Sequence, residues 1–161
     1  VVGPEAPKKS VLLKLRRDDG VARGPIAKLS TYHKFFRFAT DFRPRSLIFS
    51  EKKINGEPCI RLSLRDAYEF LSKMTYTDSW ASEMHETFGF YSYADWLAVL
   101  GAEGFRIVKG SMPFQNPYII ETMYRPRAEL FTQVRGKLLH EPYPPTNMLL
   151  VGEKPQLRHS A

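Results

Sequence analysis

Two short stretches of this 161-residue chain gather side chains able to act on a small molecule. Tyr32-His33 is followed one helical turn later by Arg37, and Trp80 is followed by His85-Glu86 and Tyr91. Aromatic rings give a pocket its apolar wall, a guanidinium binds an acidic group, and an imidazole or carboxylate accepts a proton. Arg37 follows His33 by four residues, so the two share one face of a helix and can share one cleft. Each residue also has a plainer use: Tyr32 and Trp80 as core, Arg37 in a surface ion pair, each histidine satisfied by a nearby hydrogen bond. Asn116-Pro117-Tyr118 either orients a ligand through its amide or builds a turn, and the turn is the simpler expectation.

Other chemistries find less support. A nucleotide site needs clustered glycines after a strand, because only a turn free of side chains lets backbone N–H groups approach phosphate closely. The ten glycines here are scattered. His33, His85, His140 and His159 show no ligand-type spacing, and Glu83, His85 and Glu86 cluster only locally, so no metal is expected. The single cysteine, Cys59 beside Pro58, reads as a small buried hydrophobe, and no serine lies in a nucleophile elbow.

The elements that must position these residues follow from periodicity and turn chemistry. Residues 1–25 read as a connector punctuated by Gly and Pro, with one short strand at Val11 to Leu15. From Ala27, the spacing of Leu29, Tyr32, Phe36 and Ala39 predicts a helix that ends at Arg43-Pro44. Leu47 to Ile54 and Glu57 to Leu62 flank Asn55-Gly56, the pair that best tolerates a two-residue hairpin turn. Ser63-Leu64-Arg65-Asp66 and Ser92-Tyr93-Ala94-Asp95 are capping boxes opening two further helices, with a short helix between them in Asp78 to Phe88. Phe105 to Lys109 and Met148 to Val151 read as strands, and the stretch between them predicts an extra hairpin around Ile119 to Tyr124 and Glu129 to Val134.

Composition bounds the class. With 43% hydrophobic and 25% charged residues the chain builds a packed core, and one cysteine excludes an intrachain disulfide framework, which makes the cytoplasm the default compartment. No stretch approaches the roughly 18 apolar residues of a membrane span. The opening Val1-Val2-Gly3-Pro4, without a methionine or a signal-peptide pattern, hints at a fragment. Residues 1–61 hold 14 Lys+Arg against 6 Asp+Glu, whereas residues 62–161 hold 10 against 11, so the net +7 is N-terminal in origin. Interrupted by Asp18-Asp19, Asp41 and Glu51, this excess reads as a solvated basic surface, with a phosphate-bearing partner as the alternative.

The order of elements resembles a known family. "YADWLAVLGAEGFRIVK", Tyr93 to Lys109, looks like the helix, Gly-Phe junction and strand near the end of class I S-adenosylmethionine-dependent methyltransferases. "TNMLLVGEKP", Thr146 to Pro155, resembles their last strand, and "VVGPEAPKKSVLLKLRRDDG" resembles the segment after their fifth strand, where a Gly-Gly turn and an Asp would lie just upstream of Val1. The resemblance covers both ends of the chain. It departs from the family in lacking the cofactor half, with its glycine-rich turn and ribose-binding acid, so no cofactor-binding residue is carried over.

The resemblance implies an α/β fold, the C-terminal part of a seven-stranded Rossmann-like sheet in which the final strand runs antiparallel between the fifth and sixth. Residues 1–25 would follow a missing cofactor half, 26–92 would be a helix, hairpin and helix insertion, 93–155 the last helix and final strands with an inserted lobe, and 156–161 a tail. It implies S-adenosyl-L-methionine as cofactor, a small-molecule substrate and in-line methyl transfer, for which the protein supplies alignment and removal of a proton. On that reading His33 or His85 is the proton acceptor, Arg37 an anion contact, and Trp80 and Tyr91 pocket walls, with Tyr32, Glu86 and Asn116 beside the substrate. Two competing readings are a nucleic-acid-binding module without catalysis, though no RNP, KH or helix-turn-helix pattern is present, and an interaction domain that homodimerises through exposed aromatics.

Overall fold

The computed structural model describes residues 9–16, 29–88 and 92–155. The fold mixes α and β. Strand β1 (Ser10–Leu15) alternates: Val11, Leu13 and Leu15 enter the core, and Lys14 points the other way, half-buried. Helix α1 (Thr31–Asp41) is capped by Ser30, and the hairpin of β2 (Phe49–Ile54) and β3 (Glu57–Ser63) turns at Asn55-Gly56 with φ of 51° and 82°. Ser63 caps α2 (Leu64–Lys73), its hydroxyl accepting the Asp66 N–H at 3.0 Å. The short α3 (Trp80–Glu83) follows, then α4 (Tyr93–Ala102), where Ser92 and Asp95 form a complete capping box.

Beyond α4 the chain forms β4 (Arg106–Ile107), β5 (Met112–Phe114), the one-turn helix α5 (Pro117–Ile119), β6 (Ala128–Val134), β7 (Lys137–His140), β8 (Asn147–Leu149) and β9 (Gly152–Glu153). Ile119 to Tyr124, read from the sequence as a strand, is helical. Asn116 accepts the Tyr118 N–H as an N-cap, Pro117 sits in the first turn, and a single π turn closes with Arg125 N–H on the Ile120 carbonyl at 2.9 Å. Ile120 and Tyr124, one turn apart, bury together. The hairpin partner of β6 is instead β7, across Arg135-Gly136 with φ of 49° and 77°.

Five strands form one antiparallel sheet in the order β2-β3-β1-β6-β7. The segment read as a connector therefore supplies the central strand. Leu13 pairs with Ile60 on one side and Leu130 on the other, and all three belong to a core completed by Phe35, Phe38 and Phe70. The buried face of α1 is Thr31, Phe35, Phe38 and the following Phe42, while Tyr32, Phe36 and Ala39 pack at its margin. Segments separated by α4 thus fold into a single lobe.

The remainder is a ribbon. Arg106 pairs with Glu153 and Ile107 with Gly152, Val108 N–H donates to the Val151 carbonyl at 2.8 Å, and β5 pairs with β8 from Met112–Leu149 to Phe114–Asn147. The stretches expected to neighbour one another do run antiparallel, but in a shifted arrangement: Met148-Leu149 of the expected last strand pair with β5, and the partner of β4 is Gly152–Glu153, read from the sequence as the end of that strand. Every strand pairing among the described residues is antiparallel, and none of their helices is long and apolar enough to cross a membrane.

Candidate functional site

Helix α1 presents His33 and Arg37 to solvent on one face. The His33 ring lies 2.9 Å through Nδ1 from the Ser30 hydroxyl, and Tyr32 O–H donates to Glu51 at 2.6 Å. Arg37 Nε lies 2.9 Å from Asp41, whose Oδ2 also accepts the Trp80 indole N–H at 2.8 Å. Arg37 and Trp80 are thereby linked through Asp41, a residue that sequence reasoning passed over. His33 stands eight residues before Asp41, about 12 Å along the helix axis, and is not part of that link.

Trp80 is buried, with its indole nitrogen committed to Asp41. His85 and Glu86 are exposed in the turn after α3. Asn116 caps α5, and its backbone N–H donates to Thr146 Oγ1 at 2.7 Å, so its turn-building use is realised. Tyr91 lies outside the described residues. Among the described residues no three His, Cys, Asp or Glu side chains gather to hold a metal ion.

A second feature lies between α4 and the ribbon. Trp96, Leu100, Phe105, Leu150 and Gly152 line an open groove of about 320 Å³ with no charged side chain in its wall. A Cβ on Gly152 would stand 3.2 Å from Phe105 Cδ1, so the glycine lets that ring lie directly on the strand. Although α4 reads largely apolar, none of its residues is buried, and Trp96 and Val99 are over a third exposed. Met112, Phe114, Leu149 and Val151 are exposed as well. Residues 111–120 and 142–152, which contain the β5–β8 ribbon, carry no charged residue at all, a signal the sequence does offer.

Several of the basic residues are paired with carboxylates. Lys14 sits between Glu57 and Glu129, Arg45 donates to Asp66 at 2.9 Å, and Lys9 reaches Glu141 at 2.6 Å. Burial, with Glu141 nearby, pushes the Tyr68 phenol up to about 12, and burial likewise raises the Cys59 thiol, leaving it the inert group its position suggests. The capping hydrogen bonds from the Ser92 side chain and backbone hold the exposed Asp95 carboxyl below its ordinary value. No family model matches the chain, and no curated protein or solved structure matches it either.

Proposed function

We propose that this chain is the substrate-side, C-terminal portion of a class I S-adenosylmethionine-dependent methyltransferase acting on a small molecule. The observation that carries the reading is the antiparallel pairing of the strand after α4 with the last strand, Ile107 opposite Gly152. In a seven-stranded sheet of that kind these are the sixth and seventh strands, and the seventh needs a free second edge for the fifth. β8 and β9 are each paired on one side only among the described residues, and the uncovered apolar groove and ribbon face supply surface for the rest of such a sheet.

The lobe supports the same reading. Its later part leaves the ribbon at the carboxyl end of β5, and its earlier part would follow the fifth strand, which runs parallel to the sixth. Both insertions then rise from one edge of the sheet, the carboxyl edge outside which ligands of open α/β sheets bind, and β1 pairs directly with β6 to join them. The lobe would cap the site.

The methyl donor supplies an already activated sulfonium methyl group. The described residues contain no glycine-rich turn between strand and helix, so its nucleoside would be held by residues beyond these 161. What this chain offers is substrate alignment and proton removal. His85, exposed in the segment that leads to α4, is the first choice as proton acceptor and His33 the second. Arg37 would meet an acidic group, with Glu86 nearby in sequence to His85 and Asn116 at the ribbon's end. With Trp80 held in the core, Tyr32 would serve as pocket wall among the described residues, and Tyr91 keeps the wall role only as the resemblance implies it.

The test uses the product of the complete reading frame. Saturating S-adenosylmethionine should raise its thermal midpoint, by the equivalent of about 2.7 kcal/mol at a hundredfold excess over the dissociation constant, and should leave the 161-residue chain unmoved. A complete product indifferent to the methyl donor would overturn the reading. Replacing His33 and His85 singly in that product and finding unchanged turnover for both would remove them as proton acceptors.

A further inference from the structure

The Glu69–Lys73 pair on α2 is, among the described residues, an ion pair with both side chains fully inaccessible, Nζ to Oε1 at 3.4 Å. Its contacts reach past the helix to the segment 83–88. Lys73 Nζ donates to the Glu83 carbonyl at 2.6 Å and stands 3.7 Å from the centre of the Phe88 ring, while Glu69 Oε1 accepts the Phe88 N–H at 2.8 Å. Arg43 N–H adds a bond to the Met84 carbonyl at 2.9 Å. The segment is thus tied at its start, through Glu83 and Met84, and at its end, through Phe88.

Met84 anchors the start of the segment in the core, but apolar burial does not hold its end, where His85 and Glu86 are exposed. Phe88 is 41% exposed and meets Tyr76 only edge-on, at 5.9 Å between ring centres. An ion pair withdrawn from water is a weak source of stability compared with apolar side chains of equal volume, and its bonds are directional. A cation against a ring face adds a second orienting contact. We infer that Glu69 and Lys73 form a latch that sets the path of residues 85–88, the strap that carries His85 and Glu86 onward from the core residue Met84, and that this strap opens as a unit separate from the lobe's core. The inference is independent of the methyltransferase reading.

Hydrogen exchange on the 161-residue chain, followed amide by amide in low denaturant, tests it without any substitution. The Phe88 amide should exchange through a local opening with a shallow denaturant dependence, while Leu13 and Leu71 follow the steep dependence of global unfolding. The double replacement Glu69→Leu with Lys73→Met should then raise Phe88 exchange by at least about tenfold and leave Leu13 exchange and the thermal midpoint near those of the unmodified chain. Lys73→Met alone should lower the midpoint clearly, because it leaves the Glu69 carboxylate buried without its cation. The latch is overturned if Phe88 shares the steep dependence of Leu13, if the double variant keeps Phe88 protected, or if the double variant is as unstable as the single one.

Discussion

Truncating Leu13 to alanine tests whether two stretches far apart in sequence form one core. Leu13 is fully buried at the centre of β1, opposite Ile60 and Leu130, which are themselves buried. Its side chain lies in the cluster with Phe35, Phe38 and Phe70, rigid rings with little freedom to close around a void. The cost should therefore fall in the upper part of the range for buried leucines, about 3.5–5 kcal/mol. A domain of ordinary stability holds only about 5–15 kcal/mol, so Leu13→Ala stays folded but loses on the order of 10 °C in midpoint, at about 2–4 °C per kcal/mol for a chain this long. Urea and thermal unfolding by circular dichroism give the energy, and amide exchange at Ile60 and Leu130 shows where it is lost. Both amides should speed up together. A loss under about 1 kcal/mol, or faster exchange at Ile60 with Leu130 unchanged, would refute the single-core argument.

Other substitutions probe local devices. Ser92→Ala removes one half of the capping box and should cost about 0.5–2 kcal/mol, read as reduced helicity and earlier exchange in α4. Arg135→Asn should stabilise the chain by roughly 0.5 kcal/mol in urea unfolding, because Arg135 sits at a φ of 49° that asparagine adopts at less expense. On the alkaline side, Tyr68 has a folded value above its unfolded one, so its contribution is complete below pH 10 and is lost as the pH rises toward 12; Lys14, raised by its bond to Glu57, acts in the same direction. Stability measured from pH 9 to 12 should fall in the unmodified chain and fall less in Tyr68→Phe. Asp95 works in the opposite sense, since its lowered value gives stability above the ordinary carboxyl range that is lost in acid, so α4 should fray first as the pH drops below about 4.

Much of the local structure was legible. Asn55-Gly56 marks its hairpin, and Ser63 and Ser92 mark their helices, because each residue type answers a backbone requirement at one position. Errors arose where two signals competed. In Ile119 to Tyr124 the apolar residues resemble a strand, but Asn116-Pro117 starts a helix, and that local hydrogen bonding prevailed. β7 was missed because its turn places an arginine at positive φ, where no sequence rule expects one. Along α1, the stripe through Tyr32 and Phe36 is only the margin of the face defined by Phe35 and Phe38, since Phe38, Phe35, Tyr32 and Phe36 form one continuous aromatic arc. Of the site, the residue types on α1 and after α3 were visible. The role of Asp41 in joining Arg37 to Trp80 was not, because that contact spans 39 residues. Glu69 and Lys73, four apart on a helix, look like an ordinary surface pair, and only the apolar neighbours Phe70, Leu71 and Met74 betray their burial.

The direct ladder between β1 and β6 also sets a schedule for the chain as it is made. Leu15 pairs with Ala128, so more than a hundred residues must follow β1 off the ribosome before that edge is filled. At about 5–20 residues per second this leaves β1, rich in leucine and joined only to β3, with an open side for roughly 6–25 seconds. Contacts so distant also slow refolding from denaturant. Chaperone dependence during synthesis, and aggregation that worsens with concentration during refolding, are the physiological marks such an arrangement should leave.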